Sequence, residues 1–260
     1  MSARDAGRGA SARNVPVRLV VTAGVAGMVF FEASTCTQFV AWCKRAIHAT
    51  PCMLDFLIHL SDAYASMLLL GVPFALCIVG LFMGDFDAVN VLSYRSRGGL
   101  AAHEVKSAVV FCIVATVGVT VLAFALTVGL GLPVFNWTQY DSFYAFKIGG
   151  TYLGSSWAPF AWCILSQLLT FLLIALPVTL LRWALKTPGL ALAWLGVLFV
   201  LRSTTGVFAL SLAQESFTSR GMPGWTIISF VLAFAVAVGL AWVIPRSRFV
   251  VRRDFVERRV

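Results

Sequence analysis

The amino-acid sequence predicts an all-α, polytopic membrane protein with six transmembrane helices and both termini in the cytoplasm. Hydrophobic residues make up 60% of the 260 residues and charged residues only 12%, whereas a soluble domain is about half apolar and about a quarter charged. The apolar residues form runs of about 20, the length that crosses a bilayer as a helix. Basic residues concentrate in alternate connections. This composition excludes a soluble enzyme, a nucleic-acid-binding module and a disordered tail.

Six apolar windows give the spans in chain order. They are Leu19–Ala41, Ala63–Gly84, Ala108–Leu132, Pro159–Leu181, Leu190–Leu210 and Trp225–Ile244. Barrel strands in membranes are about ten residues of alternating hydrophobicity, so these longer continuous runs indicate helices. Residues 1–18 form a polar N-terminal arm that does not have the pattern of a cleaved signal peptide. We therefore expect a cytoplasmic arm over 1–18, a transmembrane domain over 19–244 and a basic cytoplasmic tail over 245–260.

The distribution of lysine and arginine predicts the orientation. Most of the 20 basic residues lie in the N-terminal arm, in the second and fourth connections and in the C-terminal tail. The remaining connections hold only Lys44, Arg45, Lys147 and Arg220. Because cytoplasmic loops carry the basic excess, the first group of segments faces the cytoplasm. The net charge of +9 then indicates contact with membrane lipids at the inner face of the cell (plasma) membrane, and not with nucleic acid.

The first outer connection contains two cysteines and a short apolar segment. Cys43 and Cys52 are nine residues apart, and outside the cytoplasm a disulfide between them is allowed; two free thiols are the alternative. Apolar residues from Met53 to Leu60, interrupted by Asp55 and His59, predict a helix at the outer interface. The chain has no C-x-x-C pair, so it predicts neither a zinc site nor a thioredoxin-type motif.

The third connection is rich in aromatic residues between Pro133 and Trp157. Aromatic side chains at this depth usually form a belt at the membrane interface. Asn136-Trp137-Thr138 also matches the glycosylation sequon.

Two charged residues lie inside predicted spans, Glu32 in the first and Arg202 in the fifth. Both are roughly 18–20 Å from the inner ends of their spans at 1.5 Å per residue. A charge in mid-bilayer costs about 2.5–3.5 kcal/mol on insertion scales and usually faces a partner or a wet cavity. We expect a Glu32–Arg202 ion pair, or both side chains lining one water-filled cavity on a transport path. The alternative is that each extends separately toward the outer interface.

Motifs of enzyme chemistry are missing from the sequence. It contains no G-x-x-x-x-G-K-[ST], no H-E-x-x-H and no G-x-S-x-G. No histidine lies inside a predicted span, which argues against a haem held by two histidines in the bundle. We therefore expect no catalytic residue, cofactor or metal in this chain.

The longest inner connection reads DFDAVNVLSYRSRGGLAAHEVK over Asp85–Lys106. Apolar residues precede Arg95-Ser96-Arg97, and a glycine pair separates them from a helical stretch that leads into the third span. This pattern predicts a short amphipathic helix on the cytoplasmic surface, held at anionic headgroups by its basic residues. A protein partner could dock there.

The chain resembles the permease subunits of ABC-2-type transporters, in particular the small permeases of peptide and bacteriocin exporters. These proteins have six helices, cytoplasmic termini and a coupling helix between the second and third helices, which often carries Arg-Tyr-Gly-Ser-Arg. The counterpart here is Leu92-Ser93-Tyr94-Arg95-Ser96-Arg97, in which the first Arg and the Gly are displaced or absent. The resemblance implies that Tyr94, Arg95 and Arg97 contact a separate ATPase chain, which binds ATP and magnesium, and that a second permease, identical or different, completes the pathway.

The sequence therefore predicts a permease subunit of an ABC-type exporter. The alternative is a non-transporting multi-pass protein, either an assembly or scaffold subunit of a membrane complex or a small intramembrane enzyme. Few polar residues interrupt the spans, and their scarcity favours an amphipathic peptide or a lipid over a small ion as the transported molecule. They include Thr116, Thr120, Ser166, Gln167 and Thr170.

Overall fold

The computed structural model describes residues 3–61, 65–82, 97–154, 156–185 and 193–200, together with Val231 and Ala235. Every element in these ranges is helical, which confirms the all-α class for the described part of the chain. The helices are α1 (Ala3–Ala46), α2 (Met53–Leu60), α3 (Gly71–Leu81), α4 (Arg97–Gly129), α5 (Phe143–Ile148) and α6 (Trp157–Leu185). A π-helical turn, Ala65–Leu70, leads into α3, and residues 193–200 are also helical.

Three helical segments are long and apolar enough to cross a membrane: Arg18–Ala46, Ala102–Gly129 and Pro159–Thr179. They coincide with the first, third and fourth predicted spans, so the chain is a membrane protein. A shorter apolar helix, Leu68–Leu81, lies in the second predicted span. Residues 193–200 lie within the fifth. The sixth span, apart from Val231 and Ala235, and the C-terminal tail lie outside the described residues, so the count of six and the sidedness stay predictions.

Helix α1 begins far before the first apolar window. It is helical from Ala3, so the predicted arm over 1–18 continues into the first span without a break in secondary structure. Several alanines in this arm favour the helix. At the other end, His48 takes a left-handed φ of 51°. This turn leads the chain out of α1 and lets the Ala49 N–H donate to the Cys43 carbonyl at 3.1 Å.

Glycines bring α1 and α3 into close antiparallel contact. A Cβ on Gly24 would collide with the Cys77 sulfur and lie 2.8 Å from the Pro73 carbonyl oxygen. A Cβ on Gly27 would lie 3.2 Å from the Cβ of Pro73, and one on Gly80 would lie 3.0 Å from a Val21 methyl. In lipid, where the hydrophobic effect does not drive helix association, small residues stabilise such contacts by close packing.

The bundle has two different ends. At the basal end, Val20 and Val21 of α1 face Gly80 near the end of α3, and Leu81 of α3 shares a surface pocket with His103 and Lys106 of α4. At the opposite end, α2, α5 and the loop 130–142 form a compact cap over α1, α4 and α6. The inner connection that carries Arg95 therefore joins two helices at the basal end, which is the end where the N-terminal half of α1 lies.

A proline inside α6 is compensated by a side chain from the next helical segment. Pro177 has no N–H, so the Leu173 carbonyl loses its helical partner. The indole N–H of Trp194 donates to that carbonyl at 3.0 Å. Because an unsatisfied carbonyl in the hydrocarbon costs several kcal/mol, this bond fixes the fifth predicted span against the fourth.

Candidate functional site

A group of buried polar side chains crosses the bundle at one depth. The depth can be read from a stack of three rings: Phe74 of α3 lies 4.3 Å from Phe171 of α6 and 5.5 Å from Phe111 of α4, measured between ring centroids. The contact between Pro73 and Gly27 brings α1 to the same level. This level is the reference for the positions that follow.

Four buried polar residues lie four to six residues from this level, toward the cap. Glu32 of α1 is 1% exposed, Thr116 of α4 3%, Ser166 of α6 1% and Gln167 of α6 6%. At 1.5 Å per residue they lie about 6–9 Å beyond the ring stack, and therefore at nearly the same depth. We call these four residues the polar layer. The π-helical turn, a feature frequent at functional sites, ends close to this depth.

The polar layer is only partly satisfied within the described chain. Thr116 donates its hydroxyl hydrogen to the Cys112 carbonyl at 2.8 Å. By contrast, Glu32 Oε1, Ser166 Oγ and Gln167 Nε2 are buried without a hydrogen-bond partner among the described residues. Most buried polar atoms in proteins are paired, and an unpaired one in an apolar medium is costly. Three such atoms at one depth make the polar layer the candidate functional site.

The donor set limits the chemistry of this place. Carboxyl, hydroxyl and amide groups bind by hydrogen bonds and charge. Among the described residues, no cluster of three or more His, Cys, Asp or Glu side chains could hold a metal ion. The arrangement therefore suits reversible binding of a polar or cationic group.

The cap contains another buried acid, Asp55, and pairs both of its carboxylate oxygens. One carboxylate oxygen accepts the Cys52 N–H at 2.9 Å, and the other accepts the Trp137 indole N–H at 2.7 Å. Burial raises the pKa of Asp55 to about 6, although both hydrogen bonds act to lower it. Trp137 is completely buried and stacks on Tyr144 at 4.3 Å. Asp55 therefore ties α2 to the loop 130–142.

Backbone hydrogen bonds complete this connection. The Met53 and Leu54 N–H groups, unpaired at the start of α2, donate to the carbonyls of Pro133 and Val134 at 3.0 and 3.4 Å. Helix α4 ends in a Schellman motif in which Gly131 takes a φ of 70°. The cap is thus a rigid structural unit.

The structure of the cap changes two interpretations of the outer connections, the aromatic belt and the glycosylation sequon. The aromatic segment is only partly an interfacial belt: Tyr140 and Trp157 are 87% and 77% exposed, but a second set packs ring against ring inside the cap. That set is Phe135, Trp137, Tyr144 and Tyr152. The sequon asparagine, Asn136, is buried and donates to the Thr50 carbonyl at 2.8 Å, so its amide is not accessible to a glycan.

The other predicted site residues are distributed as follows. Cys43 and Cys52 are both buried, and both are free thiols in the structure; burial and then the neighbouring Asp55 carboxylate raise the pKa of Cys52. The bridge between them stays a prediction. Arg97 is the first residue of α4, at the basal end, whereas Tyr94, Arg95 and Arg202 lie outside the described residues.

An apolar groove of about 380 Å³ opens between α2, α4 and the start of α6. Its α4 wall begins at Thr120, one turn from Thr116 of the polar layer. Its lining consists of Met53, Leu54, Thr120, Val121, Phe124, Val134, Phe135, Ser156, Trp157 and Phe160.

Sequence reasoning identified Glu32 as a site residue but did not connect it with Ser166 and Gln167. Those two residues were visible as polar positions in a span, but their depth relative to Glu32 depends on the helix register. No family model matches the chain, and no curated protein and no solved structure matches it.

Proposed function

We propose that the chain is a permease subunit of an ABC-type exporter. In this proposal a separate ATPase chain holds ATP and magnesium, and a second permease completes the pathway. The observation that carries the proposal is the polar layer: three buried polar atoms that have no partner among the described residues lie at one depth between membrane-spanning helices. A translocation pathway needs polar groups at that depth, and these three atoms would supply them.

The connection between α3 and α4 supports the coupling part of the proposal. It leaves α3 at Leu81 and enters α4 at Arg97, so a force on it acts on both helices. Helix α4 carries Thr116 of the polar layer, and α3 is preceded by the π-helical turn near the same depth. A displacement at the basal end would thus reach the polar layer through two continuous helices.

The test uses the two arginines of this connection. Arg95→Glu with Arg97→Glu should weaken binding of the ATPase. Affinity purification of the full chain in mild detergent should recover a P-loop ATPase with the wild type and several-fold less with the double variant. Arg252→Glu with Arg253→Glu is the matched control, because it reverses two adjacent charges of the tail and should leave recovery unchanged.

Equal recovery of the ATPase with both double variants would contradict the coupling assignment. The cap favours the second candidate, a non-transporting assembly subunit, since it is rigid and its buried acid is fully paired. Recovery of membrane proteins without any ATPase from the wild type would support that candidate.

A further inference from the structure

The three unpartnered atoms of the polar layer lie on two helices across the bundle from each other. Helix α1 packs against α3 and α4, and α6 packs against the same two helices, so α1 and α6 are diagonal neighbours. Glu32 belongs to the buried face of α1 together with Met28, Cys36 and Phe39. Ser166 and Gln167 lie on the buried face of α6. Both faces therefore point into the interior of the bundle at one depth.

The described helices provide no basic residue at this depth. The basic residues of α1 nearest to Glu32 are Arg18 and Lys44, and the one of α4 nearest to Thr116 is Lys106. At 1.5 Å per residue, all three lie about 15 Å or more from the polar layer along their helix axes. Residues 193–200 contain no basic residue. A buried carboxyl group is either protonated or, when charged, paired with a cation, and these helices supply no such cation.

The hydrogen-bonding character of the three atoms limits the chemical class of ligand that could bind there. Glu32 Oε1 accepts a hydrogen, Gln167 Nε2 donates one, and Ser166 Oγ can do either. A matching ligand therefore carries a charged donor next to an acceptor. The apolar groove starts one helical turn further toward the cap, on α4, and is large enough for part of a hydrocarbon chain.

We propose that Glu32, Ser166 and Gln167 form a binding site for an amphipathic amine whose ammonium group lies next to a hydrogen-bond acceptor. Glu32 is its counter-ion, Gln167 donates to its acceptor, and its apolar part extends toward the groove. That this ligand is a transported substrate rests on the proposed function, but binding at the site does not. The predicted pairing of Glu32 with Arg202 is the competing use of the same carboxyl group.

The test is binding of two matched probes to the purified full chain in detergent. Glycine dodecylamide has an ammonium next to a carbonyl, and N-acetylglycine dodecylamide has the same tail without the charge. Titration of tryptophan fluorescence should show at least tenfold tighter binding of the charged probe. Glu32→Gln should remove that preference, whereas Glu104→Gln, the same change at another buried glutamate, should retain it.

A second measurement needs no variant. Dicyclohexylcarbodiimide reacts with carboxyl groups in apolar surroundings, and peptide mass spectrometry should find it on Glu32 of the wild-type chain. Glycine dodecylamide should protect Glu32 and the acetylated probe should not. Equal affinities for the two probes, or labelling that neither probe reduces, would overturn the proposal.

The Arg202→Gln variant tests whether the counter-ion of Glu32 is the ligand or Arg202. If Arg202 is the counter-ion, its removal should tighten binding of the charged probe by tenfold or more, and the site as proposed would be wrong for the native chain. Unchanged affinity supports the proposal. Because none of these measurements needs the ATPase, failure here is distinguishable from failure of the coupling experiment.

Discussion

Asp55 in the cap and Glu32 in the polar layer are buried to almost the same degree, with 2% and 1% of their surfaces exposed, but their surroundings differ. Both oxygens of Asp55 accept a hydrogen bond, one from the backbone and one from Trp137. Glu32 Oε1 accepts none from the described residues. Burial alone therefore does not distinguish these two acids, whereas their hydrogen bonds do.

The cap and the polar layer also use their polar side chains differently. In the cap, polar side chains are used to join segments that are far apart in the chain, such as Asp55 and Trp137. In the polar layer, Thr116 donates to a carbonyl of its own helix, while Glu32 Oε1, Ser166 Oγ and Gln167 Nε2 have no hydrogen-bond partner among the described residues. The two acids should therefore respond oppositely to substitution.

The largest effect should come from Asp55→Ala. The substitution leaves the Cys52 N–H and the Trp137 indole N–H buried without an acceptor, and each such group costs about 1–3 kcal/mol. We expect a loss of about 4 kcal/mol in the free energy of unfolding. The cysteines are buried, and Cys36, Cys77, Cys112 and Cys163 lie outside the predicted bridge, so reaction with a thiol-reactive fluorophore during heating in detergent measures the loss.

Asp141→Ala is the control for that substitution. Asp141 is an exposed acid of the same cap, and its carboxylate accepts only from Thr50, at 3.3 Å. Its removal should change the free energy of unfolding by less than about 0.5 kcal/mol. Equal losses in the two variants would mean that the bonds of Asp55 do not stabilise the cap.

The sequence identified the membrane helices because composition and run length are local properties. The first, third and fourth windows could be read without tertiary information, and so could the short helix Met53–Leu60. The pairing of Asp55 with Trp137 could not, because the partners are 82 positions apart. Only the position of Asp55, three residues after Cys52 at the start of a helix, gave a local signal, that of a capping acid.

The smaller features of the bundle needed the packed structure. The depth of Glu32 follows from counting residues along one helix. Its relation to Ser166 and Gln167 depends on the register between helices, which a single sequence does not contain. For the same reason Pro177 was visible, but the indole of Trp194 that satisfies the Leu173 carbonyl was not.

A smaller effect should appear as a pH dependence of the cap. The pKa of Asp55 is raised from 3.8 to about 6 by burial, so between these values the folded chain retains a proton that the unfolded chain has lost. The free energy of unfolding should therefore fall as pH rises from about 4 to about 6 and stay level above that. The shift corresponds to about 3 kcal/mol at 1.36 kcal/mol per pKa unit.

Asp55→Asn isolates this contribution, since it removes the titrating group and leaves the other acids in place. The difference in unfolding free energy between wild type and variant should decrease over the same pH interval. A difference that increases with pH would show that the two hydrogen bonds outweigh burial and that the carboxylate is the favoured form.

The smallest effect on stability should come from Glu32→Gln, although it removes an acid as deeply buried as Asp55. No hydrogen bond from the described residues is lost, the side-chain volume is kept, and the uncharged amide is easier to bury than a carboxylate. We expect the free energy of unfolding to change by less than about 1 kcal/mol in the thiol-reactivity assay, well below the loss in Asp55→Ala at the same pH. The same preparation should lose its preference for the charged probe, so stability and binding would separate in one variant. If Glu32→Gln destabilises the chain as much as Asp55→Ala does, the carboxyl group has a structural partner, and Arg202 is then the first residue to substitute. In that case the double variant Glu32→Gln with Arg202→Gln should recover part of the loss, because neither charge is left buried without the other.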